Sequence, residues 1–507
     1  MKIWKALNKY RELLGLLAVA FVLRIGYFIG NTIPFAFDHG KDSLAIMDML
    51  LNLSPKFIGP WTSIPGLYFG PGWYYLLAPF YLLFGYNPIG GAVIMLLLVL
   101  LQVGLAYKYL GKWEAVILST APLWFILSKS AWNPYPMTLL SLVLIILLKI
   151  SAETKKLTPM RALGLGLAAS FGFHFSAAFA IFYPIIILAA LLIFRIRLTL
   201  KSVLFGLLGF AIPFLPHLLF ELRYNFSQVR AVLAYFQKGE AHTFGLDKIQ
   251  SVVATSLGEI RLGILPESNY LGAFSMAMPL LLLGLLIGVA IRSTKGSKEI
   301  QRALLLCLLF IAFPIFCFFF LHFNVWYVYA MVPAAVWLVG SLLRRSPFWL
   351  KALYISLLFL GPLFAYGQYF MGERELLLQG RGFLPVKLQA IELIQEKAAG
   401  RPYASYQYVP DIYDFSYQYI YFWKALEGKP LPVEFTYQPG EHSYVVQKPE
   451  LLQHFPIAEG PPEVLFYIVE KPENEEFLSR WWDAQQFSAI EETIELSPEV
   501  TLYVARP

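Results

Sequence analysis

Cysteine and charged residues are both scarce in this sequence. The 507 residues include only two cysteines, Cys307 and Cys317, and both lie in one apolar run, which excludes a domain held together by disulfides. Charged residues make up 14% of the chain, against about 25% in soluble domains, while 58% of the residues are hydrophobic. The composition therefore excludes an ordinary soluble enzyme and predicts a membrane protein.

Several motifs of well-known enzyme classes are also missing. The sequence contains no Walker phosphate-binding loop, no H-E-x-x-H zinc motif, no paired C-x-x-C motif and no convincing G-x-S-x-G nucleophile elbow. It has no tandem repeat and no low-complexity segment. These absences argue against nucleotide-driven, zinc-protease and serine-hydrolase chemistry.

The charges that are present are unevenly distributed. Residues 1–369 hold 29 Lys and Arg against 12 Asp and Glu, whereas residues 370–507 hold 11 against 21. The basic residues of the first part lie in short loops between apolar runs, which is the pattern of cytoplasmic loops in membrane proteins and not of a nucleic-acid-binding surface. We expect no nucleic-acid partner.

Twelve apolar stretches are long enough, or nearly so, to cross a bilayer. They are residues 12–32, 71–86, 88–107, 113–129, 134–150, 160–176, 177–194, 202–220, 272–292, 303–321, 324–343 and 348–368. We interpret the basic N-terminus as leading into an uncleaved first span, because its apolar stretch is long and lacks a small-residue cleavage site.

Basic loops orient these spans. Four of them, residues 149–161, 195–201, 292–302 and 344–351, are predicted to be cytoplasmic. Residues 33–70, residues 221–271 and the tail from about residue 370 then lie outside. Twelve crossings would return the tail to the inside. We therefore predict an odd number, 11 or 13, with a partial or re-entrant piece between residues 71 and 129.

The tail has a different character. Residues 370–507 alternate short strand-like runs such as "EVLFYIVE" and "VTLYVARP" with helix-like stretches such as "PVKLQAIELIQEKAAG" and "EEFLSRWWDAQQF". We predict a small soluble α/β domain on the extracytoplasmic side. Its many tyrosines would suit either a sugar-binding surface or an ordinary packed sheet.

Acidic residues cluster directly after the first span. The stretch "FAFDHGKDSLAIMDML" holds Asp38, Asp42 and Asp48, with His39 and Lys41 between them. A helix after residue 40 would be amphipathic and lie in the membrane interface, with Asp38 in or before its first turn. One interpretation makes Asp38 a helix cap and turns the other two acids to water. The other makes a carboxylate here a general base or a metal ligand.

The following segment is rich in proline, glycine and aromatic residues. "IGPWTSIPGLYFGPGWYYLLAPFYLLFG" predicts an irregular loop that leads into an aromatic span. Tyr74 and its aromatic neighbours suit an interfacial belt, and they would also suit stacking against a sugar ring.

Further ionisable and polar groups lie at the predicted outer ends of other spans. They are Asn133 in "SAWNPYP", His174 in "FGFHFSA", Glu221 and Arg223 in "HLLFELRYNF", and His322 in "LHFNVWY". Charge at the membrane is costly and therefore points to function. The structural alternatives are that Glu221 pairs with Arg223 and that His174 bonds a neighbouring helix. Arg24 lies inside the first span, where it needs a carboxylate or a phosphate.

These residues carry a family resemblance. "FDHGKD" followed by "GPGWYYLLAPFYLLFG", and later "SAWNPYP" and "HLLFELRYNF", resemble the GT-C membrane glycosyltransferases, in particular bacterial members of glycosyltransferase family 39. That family includes dolichyl- or polyprenyl-phosphate-mannose protein mannosyltransferases and aminoarabinose transferases. The resemblance covers about residues 10–370. Two departures, His39 in place of a second acid and Asn133 in place of an acid, weaken the inference of a bound metal.

The resemblance implies a fold and a reaction. The fold is an α-helical polytopic membrane protein, GT-C-like with about 11–13 transmembrane helices, in which residues 1–369 form the glycosyltransferase domain with a catalytic first outer loop at 33–70. The enzyme would reside in the plasma or inner membrane and transfer a sugar from a polyprenyl-phosphate carrier to an unidentified acceptor on the outer face.

The resemblance also implies roles for residues. Asp38 would be the base on the acceptor hydroxyl, and Asp42 would assist it. Substrate contacts would come from Arg24, His39, Lys41, Tyr74, Asn133, His174, Glu221, Arg223 and His322. A divalent metal is left open, and no other cofactor is implied. The alternatives are a polytopic transporter or flippase, in which Asp38 would be inert, and an oligosaccharide polymerase or ligase.

Overall fold

The computed structural model describes residues 10–237, 244–266, 272, 277–293, 296–368, 371–372, 374–411, 413–457 and 460–507. The first part of the chain is helical. Its helices are α1 Arg11–Ile29, α2 Phe37–Leu51, α3 Gly72–Leu83, α4 Ile89–Tyr109, α5 Lys112–Thr120, α6 Pro122–Lys129, α7 Met137–Thr154, α8 Pro159–Phe175, α9 Ala177–Ala180, α10 Phe182–Ile193, α11 Leu200–Arg223, α12 Ser227–Gln237, α13 Leu246–Ile264, α14 Ala277–Ser293, α15 Lys298–Phe318, α16 Val325–Arg345 and α17 Phe348–Gln368.

Seven of the described helices are long and apolar enough to cross a bilayer. They are α1, α4, α7, α11, α15, α16 and most of α17, and two shorter apolar helices cover residues 177–193 and 277–292. The protein is thus an α-helical polytopic membrane protein, as the composition predicts. Part of the predicted span 272–292 and of the basic loop 292–302 lies outside the described residues.

One short piece between residues 71 and 129 is α3. This helix has 12 residues, which gives a length of about 18 Å, too short for a hydrocarbon core of about 30 Å. At its start the Gly72 N–H donates to His174 at the end of α8 (2.9 Å). Just beyond its end the Gly85 carbonyl accepts from Trp423 of the C-terminal domain (3.1 Å). The predicted span 71–86 is thus shorter than a full crossing, and the predicted span 113–129 is divided into the short helices α5 and α6.

The segment 221–271, which we predicted to lie outside the membrane, contains a long helix that packs on the bundle. Residues 246–264 form α13, a helix of 19 residues. Its buried face packs against α16 and α6, and the Gly263 carbonyl accepts from Trp124 Nε1 (3.1 Å). Four charged residues lower the hydropathy of α13, so that a search for apolar stretches passes over it.

The C-terminal part is an α/β unit. Its elements are α18 Arg374–Gln379, α19 Leu384–Ala398, β1 Tyr403–Tyr408, α20 Phe415–Leu426, β2 Glu434–Thr436, α21 Lys448–Leu452, β3 Val464–Glu470, α22 Glu475–Asp483, β4 Ala489–Ser497 and β5 Val500–Arg506. The five strands form one sheet in the order β2-β1-β3-β5-β4. Strands β1, β2 and β3 are parallel, whereas β5 is antiparallel to β3 and β4.

The predicted strands and helices of the tail are confirmed. "EVLFYIVE" contains β3 and "VTLYVARP" contains β5, and the two helix-like stretches contain α19 and α22. Strand β3 is buried along its whole length, as expected for a strand covered on both faces. The predicted boundary between residues 369 and 370 lies outside the described residues.

The α/β unit packs directly on the helical part. Helix α20 lies along α2, and Phe35 just before α2 packs on Tyr419 of α20 with ring centroids 5.7 Å apart. The Tyr419 hydroxyl also donates to the Tyr86 carbonyl. The C-terminal domain therefore covers the helix that carries the acidic cluster.

Candidate active site

Helix α2 carries the acidic cluster and is buried. It starts after Ala36, which has extended backbone, so that Asp38 lies in the first helical turn. Residues 40–49 are all buried between the bundle and α20. The interpretation that turns Asp42 and Asp48 to water was wrong, because Asp42 packs against Trp73 of α3 and Asp48 is enclosed by Lys56 and Asn52. Asp42 and Asp48 are only 4% and 6% exposed.

Both carboxylate oxygens of Asp48 accept hydrogen bonds from neighbouring side chains. Lys56 donates to one of its carboxylate oxygens and Asn52 to the other (2.7 Å). Asp48 therefore holds the end of α2 to the loop that follows, and it does not line the large cavity described below.

Asp38 is the acid of the cluster that remains accessible. Lys41 Nζ donates to its Oδ1 (2.7 Å), and Trp132 Nε1 donates to its Oδ2 (3.1 Å). The Asp38 side chain is 40% exposed. It makes no cap bond to the backbone of its own helix. Asp38 is thus held by two side chains and presents its carboxylate outward, which is not the geometry of a simple helix cap.

The charge of Asp38 is set by two opposing effects. Burial would raise the pKa of its carboxyl, but the charge and hydrogen bond of Lys41, with smaller contributions from His39 and then Trp132, outweigh burial and hold that pKa below its usual range. The neighbouring His39 has its pKa lowered to about 4, chiefly by burial. Near neutral pH, Asp38 is an anion and His39 is uncharged.

A cavity of about 650 Å³ opens beside Asp38, within the usual range for small-molecule sites. Its polar lining comes from Asp38, Lys41, Asn133, Ser176, His322 and Asn324. Its aromatic lining comes from Trp61, Trp132, Tyr235, Phe318, Trp326 and Tyr327. Apolar side chains such as Ile64, Leu67 and Ile181 complete the wall, so the cavity has charged, aromatic and apolar lining.

The loop between α2 and α3 forms one wall of this cavity. It is irregular, as its prolines and glycines predict, and it is closed by a bridge between Trp61 and Tyr68. The Tyr68 N–H donates to Gln228 on α12 (2.9 Å), which ties the loop to the bundle. The aromatic ring of Trp61 lies 4.9 Å from Lys41 Nζ.

The opposite wall comes from two distant segments. Asn133 follows α6, and its Nδ2 donates to the Phe175 carbonyl (2.9 Å). His322 and Asn324 lie between α15 and α16 with their side-chain nitrogens 2.9 Å apart. The rings of Trp132 and Trp326 meet edge to face at 5.3 Å. The structure thus brings the predicted residues Asp38, Lys41, Asn133 and His322 to one cavity.

Asp42 and His39 lie behind this cavity and do not line it. Trp73 Nε1 donates to Asp42 Oδ2 (2.8 Å), while Asp42 Oδ1 and His39 Nε2 are buried without a hydrogen-bond partner among the described residues. Both side chains border a separate void of about 10 Å³. The structure therefore does not bring Asp42, which was predicted to assist Asp38, to the lining of the cavity.

Asp42 makes the stability of the protein depend on pH. Burial raises the pKa of Asp42 to about 7, so the folded state holds a proton that the unfolded chain releases near pH 4. The stability from this proton is full below pH 4 and is lost as pH rises through 7. Between pH 5.5 and 8.5 the wild type is expected to lose about 2 kcal/mol from this group, whereas Asp42→Asn loses none of it.

Thermal unfolding in detergent across this pH range measures the difference. The melting temperature of Asp42→Asn should fall less steeply with pH than that of the wild type. Asp411→Asn serves as the matched control, because Asp411 is exposed, and its profile should follow that of the wild type. Parallel profiles for Asp42→Asn and the wild type would contradict a protonated, buried Asp42.

Arg24 is a structural residue at a helix break. Pro122 has no N–H, so the chain breaks between α5 and α6 and the Leu118 carbonyl loses its usual helical donor. The buried Arg24 guanidinium donates to the carbonyls of Ser119 (2.9 Å) and Trp124 (3.4 Å), among others. Backbone carbonyls thus bind the guanidinium, so the expectation that Arg24 needs a carboxylate or a phosphate is corrected, and Arg24 does not line the cavity.

His174 and Tyr74 are also buried away from the cavity. His174 Nδ1 accepts from the Gly72 N–H, and its Nε2 bonds the Pro213 carbonyl (2.9 Å). This is the structural alternative that the sequence left open, a histidine bonded to a neighbouring helix. Tyr74 is 6% exposed on α3 and does not line the cavity.

Glu221 and Arg223 do not form the pair that one interpretation proposed. The Glu221 carboxylate accepts from the N–H groups of Gln228 (3.1 Å) and Val229 (3.2 Å) at the start of α12, where helix dipoles favour an anion. Arg223 is exposed on the last turn of α11, with its guanidinium 5.8 Å from the Tyr224 ring. The structure brings neither residue to the cavity.

Several cavity residues were not singled out from the sequence. Tyr235, Phe318, Trp326 and Tyr327 come from segments nearly 200 residues or more after Asp38. The sequence feature that could have pointed to Trp326 and Tyr327 was the aromatic run "NVWYVYA" after His322, but this run also suits an interfacial aromatic belt. Among the described residues, no group of three or more His, Cys, Asp or Glu side chains is arranged to hold a metal ion.

Comparison with solved structures identifies the fold. The crystal structure of ArnT from Cupriavidus metallidurans bound to undecaprenyl phosphate superposes with a TM-score of 0.59 and covers 98% of both chains at 12% sequence identity. The chain has the GT-C fold. The same protein in the apo state superposes with a TM-score of 0.57, covering 97% of both chains at 12% identity. No protein-family model and no curated protein sequence matches the chain.

The GT-C fold agrees with the resemblance noted in "FDHGKD" and the segments that follow it. The match extends over nearly the whole of this chain and of ArnT, so it includes the C-terminal α/β unit as well as the helical part. At 12% identity this likeness establishes the architecture, and the function must be argued from the cavity.

Proposed function

We propose that this protein transfers a sugar from a polyprenyl-phosphate carrier to an acceptor at the outer face of the membrane, with Asp38 as the general base. The observation that supports this most directly is the geometry at Asp38. Its carboxylate faces a cavity of about 650 Å³ in a GT-C fold, and Lys41 stands beside it at 2.7 Å. One of the GT-C structures superposed above is ArnT bound to undecaprenyl phosphate.

The chemistry needs two groups that this cavity supplies. A base must take the proton of the acceptor hydroxyl as its oxygen attacks the anomeric carbon, and Asp38 is an ionised carboxylate open to the cavity. The bond from the anomeric carbon to the phosphate oxygen breaks with its electron pair leaving on the phosphate. A cation near that oxygen stabilises the developing charge, and Lys41 is placed for it.

The remaining lining suits the other parts of such a substrate. The rings of Trp61, Trp132 and Trp326 offer faces for a sugar, and Asn133 and His322 offer groups for its hydroxyls. The apolar wall formed by Leu67, Ile181 and others suits the first units of a lipid chain. In this proposal residues 33–70 are the catalytic outer loop, and the C-terminal domain lies on the extracytoplasmic side of a plasma or inner membrane.

A transfer assay on the full chain tests the function. The protein in nanodiscs is incubated with radiolabelled polyprenyl-phosphate sugars, hexoses and pentoses in separate reactions, and with an extract of envelope lipids, glycans and proteins as acceptors. We expect label to move to the extract and free polyprenyl phosphate to accumulate, with one sugar preferred over the others. Both products are measured by thin-layer chromatography.

The same preparation distinguishes a glycosyltransferase from a transporter. If the protein binds a carrier but releases no polyprenyl phosphate with any sugar, the glycosyltransferase proposal fails. Movement of labelled carrier across vesicle membranes that contain the protein would then favour a flippase.

A further inference from the structure

Lys41 forms an ion pair with one of the two groups whose charges change in the proposed reaction. Its ammonium is 2.7 Å from Asp38 Oδ1, and both side chains line the cavity. Among the described lining residues it is the one lysine or arginine. A carrier phosphate bound in this cavity would therefore share one ammonium group with Asp38.

The reaction changes the negative charge of both groups that attract the Lys41 ammonium, the carrier phosphate and Asp38. The sugar-linked carrier is a phosphodiester with one negative charge, and the departing polyprenyl phosphate is a monoester with up to two. Asp38 begins with one negative charge and becomes neutral when it takes the acceptor proton. Negative charge therefore moves from Asp38 to the phosphate as the old sugar–oxygen bond breaks and the new one forms.

We propose that the Lys41 ammonium passes from Asp38 to the carrier phosphate during transfer, so that one cation serves first the base and then the leaving group. This inference rests on the proposed function. An ammonium that follows the charge binds the transition state more tightly than the ground state, which is the requirement for acceleration. In the free enzyme the same ion pair keeps Asp38 ionised and holds it in place.

The surroundings of Lys41 allow such a transfer. Its ammonium lies 4.9 Å from the Trp61 ring and 5.5 Å from the Phe37 ring, so aromatic faces flank it. Among the described residues Asp38 is the one carboxylate that forms an ion pair with it, and the charge of Lys41 also acts on the buried Asp42. Trp132 Nε1 stays on Asp38 Oδ2 and keeps the carboxylate oriented after the ammonium leaves. A lysine suits this role because its ammonium is a point charge on a flexible stem.

Other ionisable groups near Asp38 are fixed in place. His39 and Asp42 lie on the same helix and are buried behind the cavity, and Tyr74 lies on α3. None of these three side chains lines the cavity. Asp42 also titrates and interacts with both Asp38 and Lys41, so the comparison of the wild type with Lys41→Gln is what assigns a change in the Asp38 titration to Lys41.

The test measures the pKa of Asp38 with and without farnesyl phosphate, a short monoester that mimics the departing carrier. The full chain in nanodiscs is labelled with carboxyl-¹³C aspartate, and Asp38→Asn identifies the Asp38 signal by difference. In the wild type we expect farnesyl phosphate to raise the pKa of Asp38 by about 1–3 units, the size of a lost ion pair. In Lys41→Gln the pKa should start higher, and the probe should raise it by less.

Lys56→Gln is the matched control, since Lys56 pairs with Asp48 on the same helix and does not line the cavity. This variant should show the wild-type shift. An equal probe-induced shift in the wild type and Lys41→Gln would overturn the transfer of the ammonium and leave the proposed function intact. Failure of farnesyl phosphate to bind the wild type at all would overturn both.

Discussion

Asp38→Asn is expected to lower the rate of sugar transfer by about 10²–10⁴-fold, the usual contribution of a general base. The asparagine amide has nearly the shape of the carboxylate and can still accept from Trp132, which now bonds Oδ2 at 3.1 Å. It cannot take a proton from the acceptor hydroxyl. Binding of the carrier should change little or tighten, because Lys41 no longer has Asp38 as a partner.

Single-turnover transfer from a labelled polyprenyl-phosphate sugar measures the rate, and equilibrium binding of the same carrier measures the affinity. Asp48→Asn is the matched control, because Asp48 is on the same helix and contacts Lys56 and Asn52 outside the cavity. It should keep wild-type transfer apart from any loss of stability. A transfer rate for Asp38→Asn within threefold of the wild type would remove Asp38 from the role of base.

The sequence located the helical and α/β parts because both follow local patterns. Runs of about 20 apolar residues and period-2 strands such as those in "VTLYVARP" depend only on neighbours along the chain. Helix α13 was missed since its buried face holds Ser256 and Gly263, and its other faces carry charge. In that case burial comes from packing against α16, which hydropathy does not record.

The candidate site was predictable where its residues are close in sequence. Asp38 and Lys41 are separated by one helical turn, and their pairing follows from that spacing. Residues at other span ends could not be sorted in the same way, because the sequence does not show which groups already have partners. His174 and Glu221 are used by backbone groups of neighbouring segments, whereas Asn133 and His322 reach the cavity.

The burial of α2 depended on a contact that no local pattern could reveal. A helix with several charged residues predicts a surface position, but α20 comes nearly 400 residues later and lies along it. The same contact connects the C-terminal domain to Asp38. Through this contact the C-terminal domain helps to hold α2, and with it Asp38, in position.

Gly40→Ala is expected to disrupt the site without touching any polar group in it. Gly40 lies on α2 at its closest approach to α20, and a methyl group there would overlap the backbone of Phe415 and Ser416. Backbone cannot move aside as a flexible side chain can, so the two helices must separate. We expect a loss of about 1–3 kcal/mol in stability from overpacking and a fall of about 10²-fold in transfer from displacement of Asp38.

Gly104→Ala on α4 is the matched control, because a methyl group there would have nothing within 4 Å. It should be neutral or slightly stabilising, since alanine favours helix. Thermal unfolding and the transfer assay compare the two variants at the same lipid composition. If Gly40→Ala matches Gly104→Ala in both measurements, the close contact of α20 on α2 does not hold Asp38 in place. A loss confined to Gly40→Ala would show that the C-terminal domain sets the geometry of a base carried by a helix hundreds of residues earlier.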